Sequence, residues 1–329
     1  VAFDIPDELK NEFRFLPGQY ITIQKDLQDS LLRRAYSICS SPESDELRIA
    51  IKEVDKGRFS HFANNDLKQG DYLDVAGPEG RFVLETQNDN QNDYMAFAAG
   101  SGITPVISMI KSVLHNEPNS RFALVYGSKS GEKTIFKKEL DQLVVAYNGR
   151  LKVQYVFSQI ISDKALFVRI DSDRIKDLIK HDFSDWKIDI YFLCGPEELI
   201  DTAKAALIGN GVKEDAIKFE LFSSTSHKKE VTKSLDGNVE ICVVLDDVET
   251  TFEMRMDEMI LDAAIAKNLD APYSCQGGVC SSCLARVVEG SAFMERNTIL
   301  DDDEIKEGLI LTCQAHPTSS KIKIDYDDV

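Results

Sequence analysis

Residues 273 to 287 read YSCQGGVCSSCLARV, which puts three sulfurs, Cys275, Cys280 and Cys283, within nine residues. A disulfide pair would strand one of the three thiols, and a tetrahedral metal site would lack a ligand. The nearest downstream cysteine is Cys313, in LTCQAHP, thirty positions past Cys283, so the whole pattern is C-x4-C-x2-C-x29-C. The other cysteines, Cys39, Cys194 and Cys242, stand singly in apolar sequence. That is not a disulfide framework, and it points to a reduced, cytoplasmic compartment.

Four thiolates at this spacing match the plant-type requirement of a [2Fe–2S] cluster. On that reading Cys275 and Cys280 hold one iron, Cys283 and Cys313 the other. So sharp a loop has to wrap inorganic sulfide while aiming backbone N–H groups at it. Gly277 and Gly278 allow the dihedrals this needs, and Ser281 and Ser282 keep the wall thin and polar. The competing reading is a structural zinc site, because C-x2-C recurs in zinc proteins. Zinc ribbons, however, usually show two such knuckles, and here the fourth cysteine stands alone. PYSCQGGVCSSC, EGSAFMERN, GLILTCQAHP and the closing IKIDY together resemble the plant-type ferredoxin domain, from about 238 to 329. The resemblance implies a β-grasp (α+β) fold with Cys275, Cys280, Cys283 and Cys313 as the metal ligands, and leaves Cys242 in a strand core.

At 329 residues the chain calls for more than one core. Its net charge of −18 is uneven: from Asn238 onward there are 19 Asp and Glu against 7 Lys and Arg. That field disfavours nucleic acid and membrane surfaces and suits a basic protein face, although a solvated acidic surface would look the same. No run of about 20 apolar residues occurs.

The first ninety residues alternate in short runs, QYITIQ, RAYSICS, ELRIAIKEV, DYLDVAG and GRFVLE, separated by turn residues, and predict a small antiparallel β-barrel. The polar stretch TQNDNQND (86 to 93) is a boundary. Beyond it, strands and helices alternate: YMAFAAG, then ITPVISMIKSVLHN, FALVYGS, TIFKKELDQLVVAY, LKVQYVFS, DSDRIKDLIKHDF, IDIYFLCG and EELIDTAKAALIGNG. Repeated βα units predict an α/β domain on a parallel sheet. The division expected is 1–90, 91–222, a Ser/Thr/Lys-rich linker at 223–237, and 238–329, a multi-domain chain.

A cluster moves one electron, whereas cellular donors deliver hydride, so an adaptor is needed, and flavin is the usual one. RRAYSICSSP contains R-x-Y-S at Arg34, Tyr36 and Ser37: an arginine to pair a diphosphate, a tyrosine to stack on a flavin ring, a serine to reach its edge. Alone, Tyr36 reads equally well as a barrel-core aromatic. With LPGQYITI before it, and Gly57-Arg58-Phe59-Ser60 and GPEGRF after it, the order resembles the FAD domain of the ferredoxin–NADP reductase superfamily. The family's first strand is cut short here. The resemblance implies FAD contacts from Arg34, Tyr36, Ser37, Gly57, Arg58, Phe59 and Ser60. AAGSGITP matches the superfamily's G-x-G-x-x-P and implies NAD(P)H contacts from Gly100, Gly102, Thr104 and Pro105. By the same resemblance Cys194, with Gly195 and Pro196, lines the nicotinamide pocket, and Phe222, closing FELF, covers the flavin. Packing into a strand core or a domain seam explains Cys194 and Phe222 as well. Ser128 and Lys129, in YGSKSGEK, suit the 2′-phosphate of NADPH better than the 2′-hydroxyl of NADH.

The order FAD, NAD(P), ferredoxin resembles the reductase components of bacterial multicomponent oxygenases over nearly the whole chain. The resemblance implies hydride transfer from NAD(P)H to FAD, in which Tyr36, Ser37, Cys194 and Phe222 line the reacting rings. Single electrons then pass to the cluster and on to a partner oxygenase of the aromatic or phenylacetyl-CoA type. A cytochrome P450, a desaturase or a general acceptor would use the same path. A zinc- and nucleotide-binding sensor is the non-enzymatic alternative.

Overall fold

The computed structural model describes residues 1–27, 31–54, 57–158, 170–223, 237–273 and 275–329. Most of the stretch read as a linker, 224–236, lies outside the described residues. The chain forms two compact units, Val1–Ser223 and Ser224–Val329.

The first unit opens with short strands: β1 (Ala2–Phe3), β2 (Tyr20–Asp26), β3 (Leu31–Ser37), β4 (Leu47–Arg48) and β5 (Asp74–Val75), with one helix, α1 (Arg58–Asn65). β2 lies between β3 and β5, and β1 pairs with β4, all antiparallel. ELRIAIKEV and DYLDVAG were expected as full strands but keep two ladder residues each, and residues 80–85 form none. The alternation there records burial rather than pairing. Ile49, Phe82 and Leu84 all point inward, but Gly77, Pro78 and Gly80 interrupt any ladder. Single bridges, Ile38 to Ile49 and Tyr20 to Glu79, carry the closure instead. Ile21, Ile23, Ile38, Ile49 and Phe59 fill the interior.

From Asp93 the alternation of strands and helices is regular: β6 (Asp93–Ala99), α2 (Ile103–Asn116), β7 (Arg121–Ser128), α3 (Lys137–Ala146), β8 (Leu151–Phe157), α4 (Ser172–Asp177), β9 (Ile188–Pro196), α5 (Glu197–Gly209) and β10 (Ile217–Ser223). The sheet is parallel throughout, in the order β10-β9-β6-β7-β8. Six of the seven residues of β6 are buried, as a strand covered on both faces must be. α3 starts later than TIFKKELDQLVVAY suggested because Phe136 takes a left-handed conformation, φ 59°. α4 gives way after Asp177 to a π turn over Leu178–Asp182.

The barrel meets this sheet along one face of α2. Ser108 Oγ donates to the Ser40 carbonyl (2.6 Å), Lys111 Nζ to that of Cys39 (3.1 Å), and Ser112 Oγ to the Glu43 carboxylate (3.2 Å). These positions are three and four apart, hence on one helical stripe. Lys111 also pairs with Glu139.

The second unit comprises β11 (Asn238–Leu245), β12 (Val248–Arg255), α6 (Ile260–Ala266), β13 (Leu284–Glu289), β14 (Ala292–Met294), α7 (Asp302–Lys306), β15 (Leu309–Leu311), β16 (Ala315–Pro317) and β17 (Lys321–Asp325). Its main sheet runs β12-β11-β17-β13-β15, with β11 and β17 parallel. The turn between β11 and β12 is two residues, Asp246 and Asp247, both at positive φ, which is what a hairpin of right-handed twist asks for. Their N–H groups donate to the Asp327 carboxylate at 3.0 and 2.8 Å. α6 buries Ile260, Leu261, Ala263 and Ala264. Among the described residues no helix is long and apolar enough to cross a membrane.

Candidate functional site

The cysteine quartet comes together. Cys280 Sγ lies 3.1 Å from Cys275 Sγ, and the Cys313 thiol is near enough to Cys275 and Cys283 to shift the ionisation of both. Cys275 is exposed and Cys280 half-buried, whereas Cys283 and Cys313 are buried, so one end of the quartet faces outward and the other the core. The Gly277 N–H donates to Cys275 Sγ at 3.3 Å. Hydrogen bonds from Cys280 and Cys313, with the Gly277 and Val279 amides, hold the Cys275 thiol below its usual range. Cys280, giving its proton to Cys275 and partly buried, is held above it. Four thiols crowded together, with amide donors aimed at one of them, fit a group that takes four thiolates and adds negative charge. Among the described residues no set of three His, Cys, Asp or Glu side chains is spaced to hold a single metal ion.

The first unit carries the other two candidate sites. Arg34 and Tyr36 share a face of β3 by its period of two. The Tyr36 ring lies 5.7 Å from that of Phe59, and burial pushes its phenol up to about 12. Phe59 itself is 2% exposed, so any approach to a ligand there is made by its backbone. Ser37 is buried at the end of β3. Gly57 precedes α1, and the Ser60 hydroxyl, 6% exposed, is engaged with the Gly57 carbonyl (3.1 Å) and the Val54 N–H (3.3 Å). Ser60 therefore braces the turn, while the exposed Arg58 stands at its surface with its guanidinium on the Leu27 carbonyl. The Arg34 guanidinium rests on the Arg33 carbonyl at 2.6 Å.

In the parallel sheet the strand order reverses between β6 and β9, which is where open α/β sheets bind ligands. Gly100 and Gly102 lie in the turn from β6 into α2. A Cβ at Gly102 would sit 2.2 Å from the Cys194 carbonyl oxygen, so only glycine lets this turn cross the end of β9. Thr104 Oγ1 donates to the Ser101 carbonyl at 3.0 Å, and Pro105 occupies the first turn of α2, where a missing N–H costs nothing. Cys194 and Gly195 end β9, and Pro196 precedes α5. Phe222 lies half-buried in β10 against the core that holds Cys194. At the end of β7, Ser128 Oγ donates to the Ser130 carbonyl and Lys129 is exposed.

Two features take their setting only from the fold. The first is Glu220, which the register of β10 places opposite Cys194. The residue is half-buried, but its Oε2 is shut off from solvent with no hydrogen-bond partner among the described residues, and burial pushes the carboxyl up to about 8. Cys194, fully buried and beside that carboxyl, is held well above the usual thiol range. A buried acid with an unpaired oxygen at the switch point fits a polar ring group beside it. The signal was a lone glutamate inside an apolar strand. The second feature is the bonding around Cys313. The Tyr326 hydroxyl donates to Thr312 Oγ1 (3.0 Å), which donates to the Cys283 carbonyl (3.0 Å). Gln314 reaches from the other side to the carbonyl of Gln276 (3.1 Å).

Fold and sites together define a flavin- and pyridine-nucleotide-dependent oxidoreductase with a ferredoxin domain on the same chain. Family models agree: an oxidoreductase FAD-binding domain matches residues 1–84, an oxidoreductase NAD-binding domain 97–205, and a 2Fe-2S iron-sulfur cluster binding domain 243–318. The chain is 37% identical over 331 residues to one component of the 1,2-phenylacetyl-CoA epoxidase of Escherichia coli, covering 99% of this chain and 93% of that protein. The solved structure of phthalate dioxygenase reductase is 24% identical, with a TM-score of 0.56 over 94% of this chain and 88% of the other. An intact type IV self-sufficient cytochrome P450 monooxygenase is 25% identical with a TM-score of 0.67; the chain spans 94% of its own length there but 37% of that longer chain. The chain belongs to the family of oxygenase reductase components built on the ferredoxin–NADP reductase scaffold with a plant-type ferredoxin domain. It uses FAD, a pyridine nucleotide and a [2Fe–2S] cluster to carry electrons.

Proposed function

We propose that this chain is the reductase that draws hydride from NADPH and delivers single electrons to an oxygenase of the phenylacetyl-CoA or aromatic type. Three parts divide the work: 1–90 for FAD, 91–222 for the nucleotide and 238–329 for the cluster. The observation that carries the reading is the meeting of Cys275, Cys280, Cys283 and Cys313, thirty-eight positions apart at the extremes, in one group of neighbouring thiols. When bound, the nucleotide supplies hydride, the flavin divides it into single electrons, and the cluster relays them.

The chain's own residues bind, orient and exclude water. Arg34 and the turn at Gly57 and Arg58 take the FAD diphosphate; Tyr36 and Ser37 line its ring. Gly100, Gly102, Thr104 and Pro105 form the pyrophosphate turn ahead of α2, whose N-terminus favours an anion. Cys194, Gly195, Pro196 and Glu220 make a dry pocket for the nicotinamide, and Phe222 covers the ring until the nicotinamide arrives. Ser128 and Lys129, at the edge of β7, favour the 2′-phosphate of NADPH over a 2′-hydroxyl. The four cysteines supply one negative charge each, offset in part by the Gly277 and Val279 amides. The acidic ferredoxin domain docks on a basic face of the acceptor, in the cytoplasm. Delivery to a cytochrome P450 is the second reading, favoured by the 25% identity to the self-sufficient P450 chain.

Cys280→Ser tests the path. Reduction of ferricyanide by NADPH should stay within about twofold of the parent in FAD-replete protein, while transfer to a one-electron protein acceptor falls by about a hundredfold or more. Ferricyanide reduction lost along with protein transfer, in a folded and FAD-replete variant, would show that the carriers are not arranged in this sequence.

A further inference from the structure

We infer that Gln314 is a positioning residue: its side-chain amide clamps the cysteine loop in the conformation that aims the Gly277 N–H at Cys275 Sγ. The inference rests on the reading of Cys275 as a cluster ligand.

Gln276 has φ 52°, a left-handed conformation that a residue with a Cβ rarely adopts. That turn sends the next amide back along the chain, and the Gly277 N–H lands 3.3 Å from Cys275 Sγ. With Gln276 in the ordinary right-handed or extended region, the same N–H would point elsewhere. Something has to hold the unfavourable dihedral, and a tertiary contact on the Gln276 carbonyl does so. Gln314 Nε2 donates to it at 3.1 Å and, at 2.8 Å, to the carbonyl of Cys313. One amide group thereby ties the residue after the first ligand to the last ligand, thirty-seven positions on. The Gln314 stem lies under the loop as well: a Cβ at Gly278 would come within 3.0 Å of its Cγ.

The neighbouring contacts separate this role from general support. Gly278, the next left-handed residue, is held by Thr298 Oγ1, which donates to its carbonyl at 2.7 Å. Thr312, on the far side of Cys313, bonds the Cys283 carbonyl and accepts from Tyr326. Each of those grips glycine or regular backbone. Gln314 alone of these three grips the strained non-glycine residue.

N–H···S bonds stabilise the more negative, reduced form of a thiolate-bound cluster and so raise its potential. Gln314 accordingly sets the potential without touching the ligand sulfur. The measurement is an EPR-monitored redox titration of the purified holoprotein, with visible circular dichroism as a second signature. Gln314→Leu, and Gln314→Glu, which keeps the length but loses the donor, should shift the reduction equilibrium about tenfold against the reduced form, about 59 mV more negative for one electron. Gln276→Gly alone should stay within about twofold of the parent, because glycine takes the left-handed turn without strain. The decisive variant is Gln276→Gly with Gln314→Leu, which should return most of the way to the parent midpoint. An unchanged midpoint in Gln314→Leu, or a double variant no closer to the parent than Gln314→Leu, overturns the clamp. If Gln314→Leu loses its iron, the double variant is read for iron and labile sulfide instead: recovery supports the clamp and continued loss overturns it. Cys275→Ser separates the premise from the inference. Unaltered g-values and midpoint in that variant would remove Cys275 as a ligand, and the clamp with it, whereas altered ones beside an indifferent Gln314 would overturn the clamp alone.

Discussion

The pairing of Glu220 with Cys194 shows what a single register decides. Adjacent parallel strands set the two side chains side by side, with the Glu220 Oε2 shut off from solvent and without a hydrogen-bond partner among the described residues. The glutamic acid then keeps its proton through neutral pH, its carboxyl pushed by burial from an ordinary 4.5 up to about 8. The sign of the resulting pH dependence follows. Between those two values the unfolded chain has released the proton and the folded one retains it, so stability falls as pH rises through that window and levels off above it. Glu220→Gln keeps the shape and cannot ionise. Its melting temperature relative to the parent should be nearly level at pH 5 and should rise with pH, by on the order of 5 °C at pH 8.5. Thermal scans of the holoprotein across that range check it, and a pH-independent difference would mean that the carboxyl is solvated in the folded chain.

At the scale of elements, the turn from β6 into α2 is built against the end of β9 with no room for a side chain at Gly102. The atoms a Cβ would meet are backbone, the Cys194 carbonyl and the Gly195 nitrogen, and neither can swing aside. Gly102→Ala should therefore pry the turn off β9, lowering stability by about 1–3 kcal/mol and weakening nucleotide binding in step. Gly100→Ala is the informative comparison: there φ is 57° but the space is open, so it should cost about 1 kcal/mol of backbone strain. Urea unfolding of the two variants, read beside nucleotide titrations, checks the order. Elements of this domain were largely legible in the sequence. ITPVISMIKSVLHN is α2 residue for residue, and LKVQYVFS and IDIYFLCG each fall within a residue of β8 and β9 at both ends. Periodicity over a full element, bounded by glycine or proline, suffices for that. It misled in the barrel, where alternation in ELRIAIKEV marks inward side chains on a backbone that pairs through single bridges. The cysteine knot was legible because ligand spacing is itself a sequence property. The setting of Glu220, visible in FELF only as the glutamate of a Glu-x-aromatic ending, and that of Gln314 were not, since each depends on a partner that the fold brings up.

For the whole molecule the controlling quantity is where the charge sits. The chain carries −18, and the stretch from Asn238 onward holds 19 acidic residues against 7 basic ones. Asp301, Asp302, Asp303 and Glu307 are exposed in and beside α7, which a capping box from Asp301 and Glu304 holds in place. If this domain delivers the electrons, as proposed, its anionic surface speeds encounter with a cationic acceptor and does nothing for a neutral one. Salt then acts on one step selectively. The Debye length shrinks from about 30 Å at 0.01 M to about 8 Å at 0.15 M, which removes long-range attraction while leaving buried contacts intact. Turnover with the protein acceptor, measured below saturation, should fall on the order of tenfold across that range. Reduction of a small uncharged quinone by the same enzyme should stay nearly constant, which separates docking from any effect of salt on the internal steps. Parallel loss in both assays would place the sensitivity inside the reductase, and turnover indifferent to salt with the protein acceptor would overturn electrostatic docking through the acidic domain.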